Sequence, residues 1–207
     1  MTVDTGARRE SPRSKRSTIL AVAIDQFGRV GYDHTKWASI ADEVGIGQTA
    51  LYHYFESKAH CLLTIMRLEL ADTVERFDAA TDGIDDPAAA LRAAAAGALA
   101  ATPSDALQRR ILQNHLDLLA APRQSEKEEA ERLRSRGLVQ EIEARWAELI
   151  QRGIDAGDFA DADPRTLGRL VLGMVISVWR WYRPDGQLTL DQIIETVSDA
   201  AVRAVRG

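Results

Sequence analysis

The stretch Ile19–Lys58, ILAVAIDQFGRVGYDHTKWASIADEVGIGQTALYHYFESK, decides the fold. Ile19, Leu20, Ala23, Phe27 and Val30 recur at helical spacing, and Gly31 is placed to stop the helix they define. Thr35 is read as the cap of a second helix, from about Lys36 to Val44, with Ile40, Ala41 and Val44 on its inner face. Gly45-Ile46-Gly47 makes a tight turn, Gln48 to about Tyr54 a third, short helix, and Ser57 caps a long fourth. Two short helices joined by a glycine turn, the second displaying polar and aromatic groups, form a helix-turn-helix.

Outside this stretch, charge is unevenly distributed. The chain of 207 residues has a net charge of −5, which alone argues against a nucleic-acid partner. Residues 1–60 hold eight Lys/Arg and seven Asp/Glu, however, and residues 8–16, RRESPRSKR, carry five positive charges and one negative. A locally basic arm on an acidic body, directly upstream of a helix-turn-helix, favours contact with a polyanion. The arm, residues 1–11, is expected to be disordered, with Ser11 capping the first helix at Pro12. Cys61 is the only cysteine, so no intrachain disulfide forms, and its apolar neighbours Leu62 and Ile65 predict a buried thiol. The charged N-terminus lacks an apolar core, so no secretory leader is expected. The longest uncharged run, Leu170 to Trp179, is about half of what a bilayer span needs. The location expected is cytoplasmic, with no membrane partner.

The fourth helix runs from Lys58 to about Ala80. It is apolar on two sides, with Leu62, Ile65 and Leu68 on one and Met66, Leu70, Val74 and Phe77 on another, which predicts two packing partners. An alanine-dense helix follows Pro87, to about Ala101, and another spans about Asp105 to Ala120. Glu126 to Arg136, dense in both signs of charge, reads as a solvated face on a helix ending at Gly153 or Gly157. Asp163-Pro164 starts the eighth helix, in which Gly173 and Ser177 permit close approach of another backbone, and Thr189 caps the ninth. No strand pattern and no repeat is present, so the chain reads as all-α with about nine helices.

The motif residues Phe27, Gly31-Tyr32, Ile40-Ala41, Gly45-Ile46-Gly47, Leu51-Tyr52-His53-Tyr54-Phe55 and Ser57-Lys58 resemble the N-terminal domain of the TetR family of bacterial transcriptional regulators. Gly47 stands where that family usually has Ser, which weakens the cap of the recognition helix, and Tyr54 stands where His is common. The resemblance implies a DNA-binding domain over 12–58 and a ligand-binding and dimerisation domain over 59–207. It also implies a homodimer on a palindromic double-stranded operator, released by a small-molecule effector. A shorter likeness, Arg180-Trp181-Tyr182-Arg183-Pro184, resembles the C-terminal part of TetR regulators of steroid and acyl-CoA catabolism, which implies an apolar effector such as an acyl-CoA. The alternative left open is a helical DNA-binding or interaction protein without ligand control.

Family and geometry together place the DNA contacts. Gln48 and Thr49 open the recognition helix and are the base-reading candidates, since Gln pairs with adenine and the Thr methyl meets a thymine methyl. Tyr52, His53 and Lys58, with Thr35 and Lys36 at the start of the second helix, are the phosphate contacts. Leu51 and Phe55 are read as core, and Trp37 is left open. The resemblance places the effector pocket among helices four to eight, with Met66, Phe77, Gln113, His115, Trp146 and Trp179 as lining candidates. It pairs the last two helices across a two-fold axis, through Val171, Met174, Val178, Ile194 and Val197. No cofactor and no enzymatic activity are expected. The sequence has no Gly-rich phosphate loop, no His-Glu-x-x-His and no nucleophile elbow, and the helix break before Ser57 separates His53, Glu56 and His60 as metal ligands.

Overall fold

The computed structural model of the chain describes residues 12–206, so Ser11 and the arm before it lie outside the described residues. Among the described residues there are nine α-helices, one 3-10 turn and no strand. The chain divides into two compact units, the first ending at Leu62 and the second beginning at Leu63.

The first unit contains α1 (Pro12–Arg29), α2 (Trp37–Val44), α3 (Gln48–Tyr54) and the start of α4 (Lys58–Thr81). Ile19, Ala23, Phe27, Ile40, Leu51 and Phe55 close its core. Val30 does not join them and is 57% exposed. The helix ends one residue earlier, and Gly31 takes φ +95°, which turns the chain off the apolar face. The α2–α3 turn closes as a Schellman motif. Gly45 adopts φ 72°, its amide donates to the Asp42 carbonyl at 3.1 Å, and the Ile46 amide donates to the Ala41 carbonyl at 3.0 Å.

The second unit holds the rest of α4, then α5 (Pro87–Leu99), α6 (Pro103–Asn114), a 3-10 turn (Leu116–Leu119), α7 (Glu126–Asp155), α8 (Pro164–Trp181) and α9 (Leu190–Arg206). Helix α5 packs on α7, α8 and α9, α6 packs on α8, and α8 lies between α7 and α9. Leu91, Leu99, Trp146, Ile150, Val175 and Val205 are fully or almost fully buried there. Side-chain caps start most of these helices. Asp86 accepts from the Ala89 amide, Thr102 and Asp105 form a reciprocal capping box, and Ser125 and Asp163 each accept three residues on. Thr189 and Gln192 form the same kind of box at α9.

Two expectations change, and a third feature is added. The helix expected to run to Ala120 breaks at His115, which leaves helical geometry at φ −127°, ψ 18°. Its ring nitrogen Nδ1 pairs with the Ile111 carbonyl at 2.8 Å, the acceptor that the helical ladder would use, and its own amide turns to Leu112. The charge run on α7 is not a solvated face, because Glu128, Glu131, Arg132 and Ser135 are buried. Arg132 caps the 3-10 turn through the Leu119 carbonyl at 3.0 Å, and Glu131 pairs with Arg67 of α4 at 2.5 Å. The close backbone approach on α8 lies at Gly168, where a Cβ would stand 3.1 Å from the Ala147 nitrogen of α7. Gly173 has nothing within 4 Å of that position.

Candidate nucleic-acid interface and effector cavity

Helix α3 turns Leu51 inward, fully buried, and leaves Gln48, Thr49, Tyr52 and His53 exposed, Tyr52 at 47%. Its N-cap, Gly47, offers no side chain, so the first amides of α3 have no side-chain acceptor at that end. At the other end, Arg16 donates to the Tyr54 carbonyl at 2.8 Å and lies 4.1 Å from the Phe55 ring centre. Arg16 belongs to the basic run of the sequence, yet here it closes the C-terminus of the recognition helix. Phe55 in turn meets Trp37 edge-on at 6.5 Å, which settles Trp37 as core.

The α1–α2 connection rearranges two of the expected phosphate contacts. The cap residue of α2 is Lys36 rather than Thr35, it carries no side-chain cap bond, and it is exposed. Thr35 is buried instead, its hydroxyl donating to the carbonyls of Gly31 at 2.8 Å and Gln26 at 3.3 Å. Both carbonyls also accept main-chain amides, Gln26 from Val30 at 2.9 Å and Gly31 from Thr35 at 3.1 Å, so the hydroxyl adds a second donor that pins the loop to the end of α1. Lys58 is half-buried, its ammonium donating to the carbonyls of Tyr32 at 2.7 Å and Thr35 at 3.0 Å. One of its three N–H groups remains beyond these two bonds. Ser57 caps α4 as expected, accepting from the His60 amide at 2.8 Å, while the Glu56 amide donates to the His60 ring at 3.3 Å.

Within the second unit a cavity opens among α4, α5, α6, α7 and α8. Phe77, Trp146 and Trp179 form its aromatic walls, Phe77 and Trp146 meeting edge-on at 5.4 Å, and Leu112, Leu172 and Ile176 complete the apolar surface. Four of the six expected lining residues, Phe77, Gln113, Trp146 and Trp179, are brought together here. Met66 is fully buried elsewhere, and His115 serves as the break of α6; neither lines this space. The cavity encloses about 40 Å³ and adjoins a second of about 210 Å³ that shares Thr73, Leu112, Gln113, Leu172 and Ile176 with it.

The sequence reading missed the polar part of this cavity. Glu69, Thr73 and Arg76 stand at i, i+4 and i+7 on α4, and Arg109 reaches in from α6. The Glu69 carboxylate takes Arg76 at 2.6 Å and Arg109 at 3.2 Å, both on the same oxygen, Oε1. Burial pushes the Glu69 carboxyl up from its ordinary value, while the two guanidinium groups draw it down. Arg109 also donates to the Ala98 carbonyl at 3.0 Å and lies 5.0 Å from the Trp179 ring centre. The readable signal was the polar line itself, Glu69, Thr73 and Arg76 at helical spacing on one face of α4. Arg169, by contrast, pairs with Glu143 at 2.8 Å on the surface, and Arg183 donates to the Tyr182 carbonyl.

Of the residues expected between two copies, Val171 and Val178 are 1% exposed, covered by their own chain. They point toward the α8 packing core, since the α8 stripe is wider than one partner needs. Met174, Ile194 and Val197 remain half-buried, and beside them Leu170 at 66% and Trp181 at 50% stay exposed. Among the described residues no group of three metal-ligating side chains occurs, and no helix is long and apolar enough to cross a membrane.

Residues 19–65 match the profile of bacterial regulatory proteins of the tetR family, and residues 85–205 that of the tetracyclin repressor-like C-terminal domain. The HTH-type transcriptional repressor KstR2 of Mycobacterium tuberculosis is 28% identical over 188 residues, 87% of each protein. Among solved structures, the TetR family transcriptional regulator PfmR from Thermus thermophilus is similar with a TM-score of 0.77 and 26% identity, over 89% of this chain and 97% of that one. AibR, solved in complex with isovaleryl coenzyme A and operator DNA, shares the fold with a TM-score of 0.74 and 22% identity, over 93% and 98% of the two chains.

Proposed function

Because the chain belongs to the tetR family of bacterial regulatory proteins, we propose that it is a homodimeric transcriptional repressor that binds a palindromic operator and releases it when a small molecule enters the second unit. The observation that carries this reading is the face of α3, where Gln48, Thr49, Tyr52 and His53 stand exposed on a helix anchored by Leu51. A short helix with its N-terminal residues free and its inner face anchored is what major-groove reading requires. The repressor sense follows the relative that is 28% identical, itself a transcriptional repressor.

Gln48 and Thr49 read base edges, and Lys36, Tyr52 and His53 hold phosphate. Thr35 and Lys58 act behind them, fixing the loop that presents Lys36, with one Lys58 N–H left for phosphate. Met174, Ile194 and Val197, joined by Leu170 and Trp181, form the surface that meets the second copy. The effector has an apolar body, with acyl-CoA thioesters as the first class to test, because Phe77, Trp146 and Trp179 offer flat apolar walls. The cavity and the space adjoining it, about 40 and 210 Å³, are together smaller than a ligand of that kind needs, so binding must part their walls. That displacement is the differential interaction a ligand needs in order to shift a conformational equilibrium. A hundredfold loss of operator affinity requires about 2.7 kcal/mol of coupling, and operator DNA must weaken effector binding by the same factor.

The test selects bound duplexes from a random pool with the full chain, then titrates acyl-CoAs, free CoA and free acids against the selected complex. A two-fold symmetric site and an effector that lowers its affinity are the expected results. A chain that recovers no enriched sequence would refute the reading.

A further inference from the structure

The polar floor of the effector cavity is charged, and its charges do not cancel. Three ionisable side chains line it, Glu69, Arg76 and Arg109, one negative and two positive. Both guanidinium groups converge on one oxygen of Glu69. Arg109 is almost wholly buried and fills its remaining reach with the Ala98 carbonyl and the Trp179 ring. Arg76 bonds Glu69 and the Thr73 hydroxyl through Nη2, while its Nε–H is buried with no hydrogen-bond partner. Asp105, close enough to act on both arginines, does not line the cavity and has its carboxylate engaged in the Thr102 capping box. A buried guanidinium N–H without an acceptor costs free energy, and a second anion beside Arg76 removes that cost.

We infer that the effector carries a carboxylate, which binds Arg76 and Arg109 on the floor of this cavity while its apolar body lies against Phe77, Trp146 and Trp179. Glu69 is the internal competitor: its carboxylate holds the arginine pair in the position that the ligand's carboxylate takes over or shares. The inference rests on the effector-controlled reading above and names the chemistry of that effector. Two sources supply this chemistry, a free carboxylic acid and an acyl thioester with a carboxylate at the far end of its chain. A thioester with a plain alkyl end lacks it.

The test is calorimetric titration of the full chain without DNA, using two matched pairs of probes. Phenylacetate is set against phenylacetamide, and adipoyl-CoA against hexanoyl-CoA. The carboxylate member of at least one pair is expected to bind at least tenfold more tightly than its neutral partner, and the pair that does so identifies the source. In Glu69→Gln the carboxylate probe should bind several-fold more tightly, because the competitor is gone, with the neutral probe unchanged. In Arg76→Gln the preference for the carboxylate should disappear. A purely structural ion cluster gives the opposite result for Glu69→Gln, weaker binding of every probe, and that outcome overturns the inference. Equal binding of both members in both pairs, or binding of neither at millimolar concentration, overturns it as well. Operator affinity is read separately with the same probes. A carboxylate that binds tightly without moving operator affinity refutes the effector reading but leaves the site, whereas operator release by the amide or hexanoyl-CoA as effective as by the acid refutes the site alone.

Discussion

The ammonium of Lys58 lies 4.2 Å from the centre of the Tyr32 ring and donates to the main-chain carbonyl of the same residue at 2.7 Å. One side chain thus ties the start of α4 to the loop between α1 and α2. Lys58→Ala should therefore destabilise the first unit by about 1–2 kcal/mol, from the lost cation–π contact and carbonyl bonds, as well as weakening DNA binding. Lys36→Ala should weaken binding to all sequences and lower the salt slope by about one unit, with the melting temperature unchanged. Thermal melts beside salt-dependent binding isotherms separate the two. Equal melting temperatures for both variants would remove the structural role given to Lys58.

Gln48 stands exposed at the first position of α3. Gln48→Ala should relax preference at one base position of each half-site, at a cost of roughly 1–3 kcal/mol there, and leave the other positions intact. The check is sequence selection with the variant beside the wild type. An unchanged selection profile would take Gln48 out of base reading.

Val178 and Val197 look alike in the sequence, but the fold separates them, one buried in its own chain and the other half-buried on α9. Val197→Arg should give a folded monomer, since the arginine stem reaches solvent once the copies part. Val178→Arg should unfold the second unit by placing an unpaired charge in the core. Light scattering combined with circular dichroism distinguishes these outcomes. A stable wild-type monomer at micromolar concentration would sink the interface itself.

On α7, Glu129 accepts from Nη2 and Nε of Arg132, at 2.6 and 2.7 Å, and from the Arg123 amide at 2.8 Å. These bonds, Arg132 first, hold its carboxyl down at about 2. A depressed folded-state value means stability that is fully present above the unfolded value, 4.5, and lost as the pH falls toward 2. Glu129→Gln should melt below the wild type at pH 7, and the two melting temperatures should converge between pH 4.5 and 2. A gap that persists at pH 2 would assign the effect to packing.

Much of the first unit was legible because local signals agree there: the spacing of Ile19, Ala23 and Phe27, the Gly45 turn and the Ser57 cap each point to the same element. What escaped was decided by tertiary neighbours. Nothing near His115 announces a break, since its ring competes for a carbonyl that any helix would offer. The run from Glu126 reads as solvated until Arg67 and the Leu119 carbonyl are placed against it. Val171 and Val178 share a stripe with Met174, and only the packing of α7 and α9 on α8 decides which edge is left over. For the candidate site, the aromatic walls followed from apolar residues in the expected helices. The arginine pair did not, because Arg76 and Arg109 are 33 positions apart and become neighbours only through Glu69.

The chain has four tryptophans, and two of them, Trp146 and Trp179, stand in the wall of one cavity. Trp179 faces a guanidinium group and Trp146 faces Phe77, so each indole senses a different side of the same space. Trp37 is buried in the other unit, and Trp181 is half exposed. Intrinsic emission of the unlabelled protein therefore carries an optical record of the cavity's occupancy. Replacing Trp37 and Trp181 by Phe would isolate that signal and allow entry of a molecule to be timed with both cavity indoles in place.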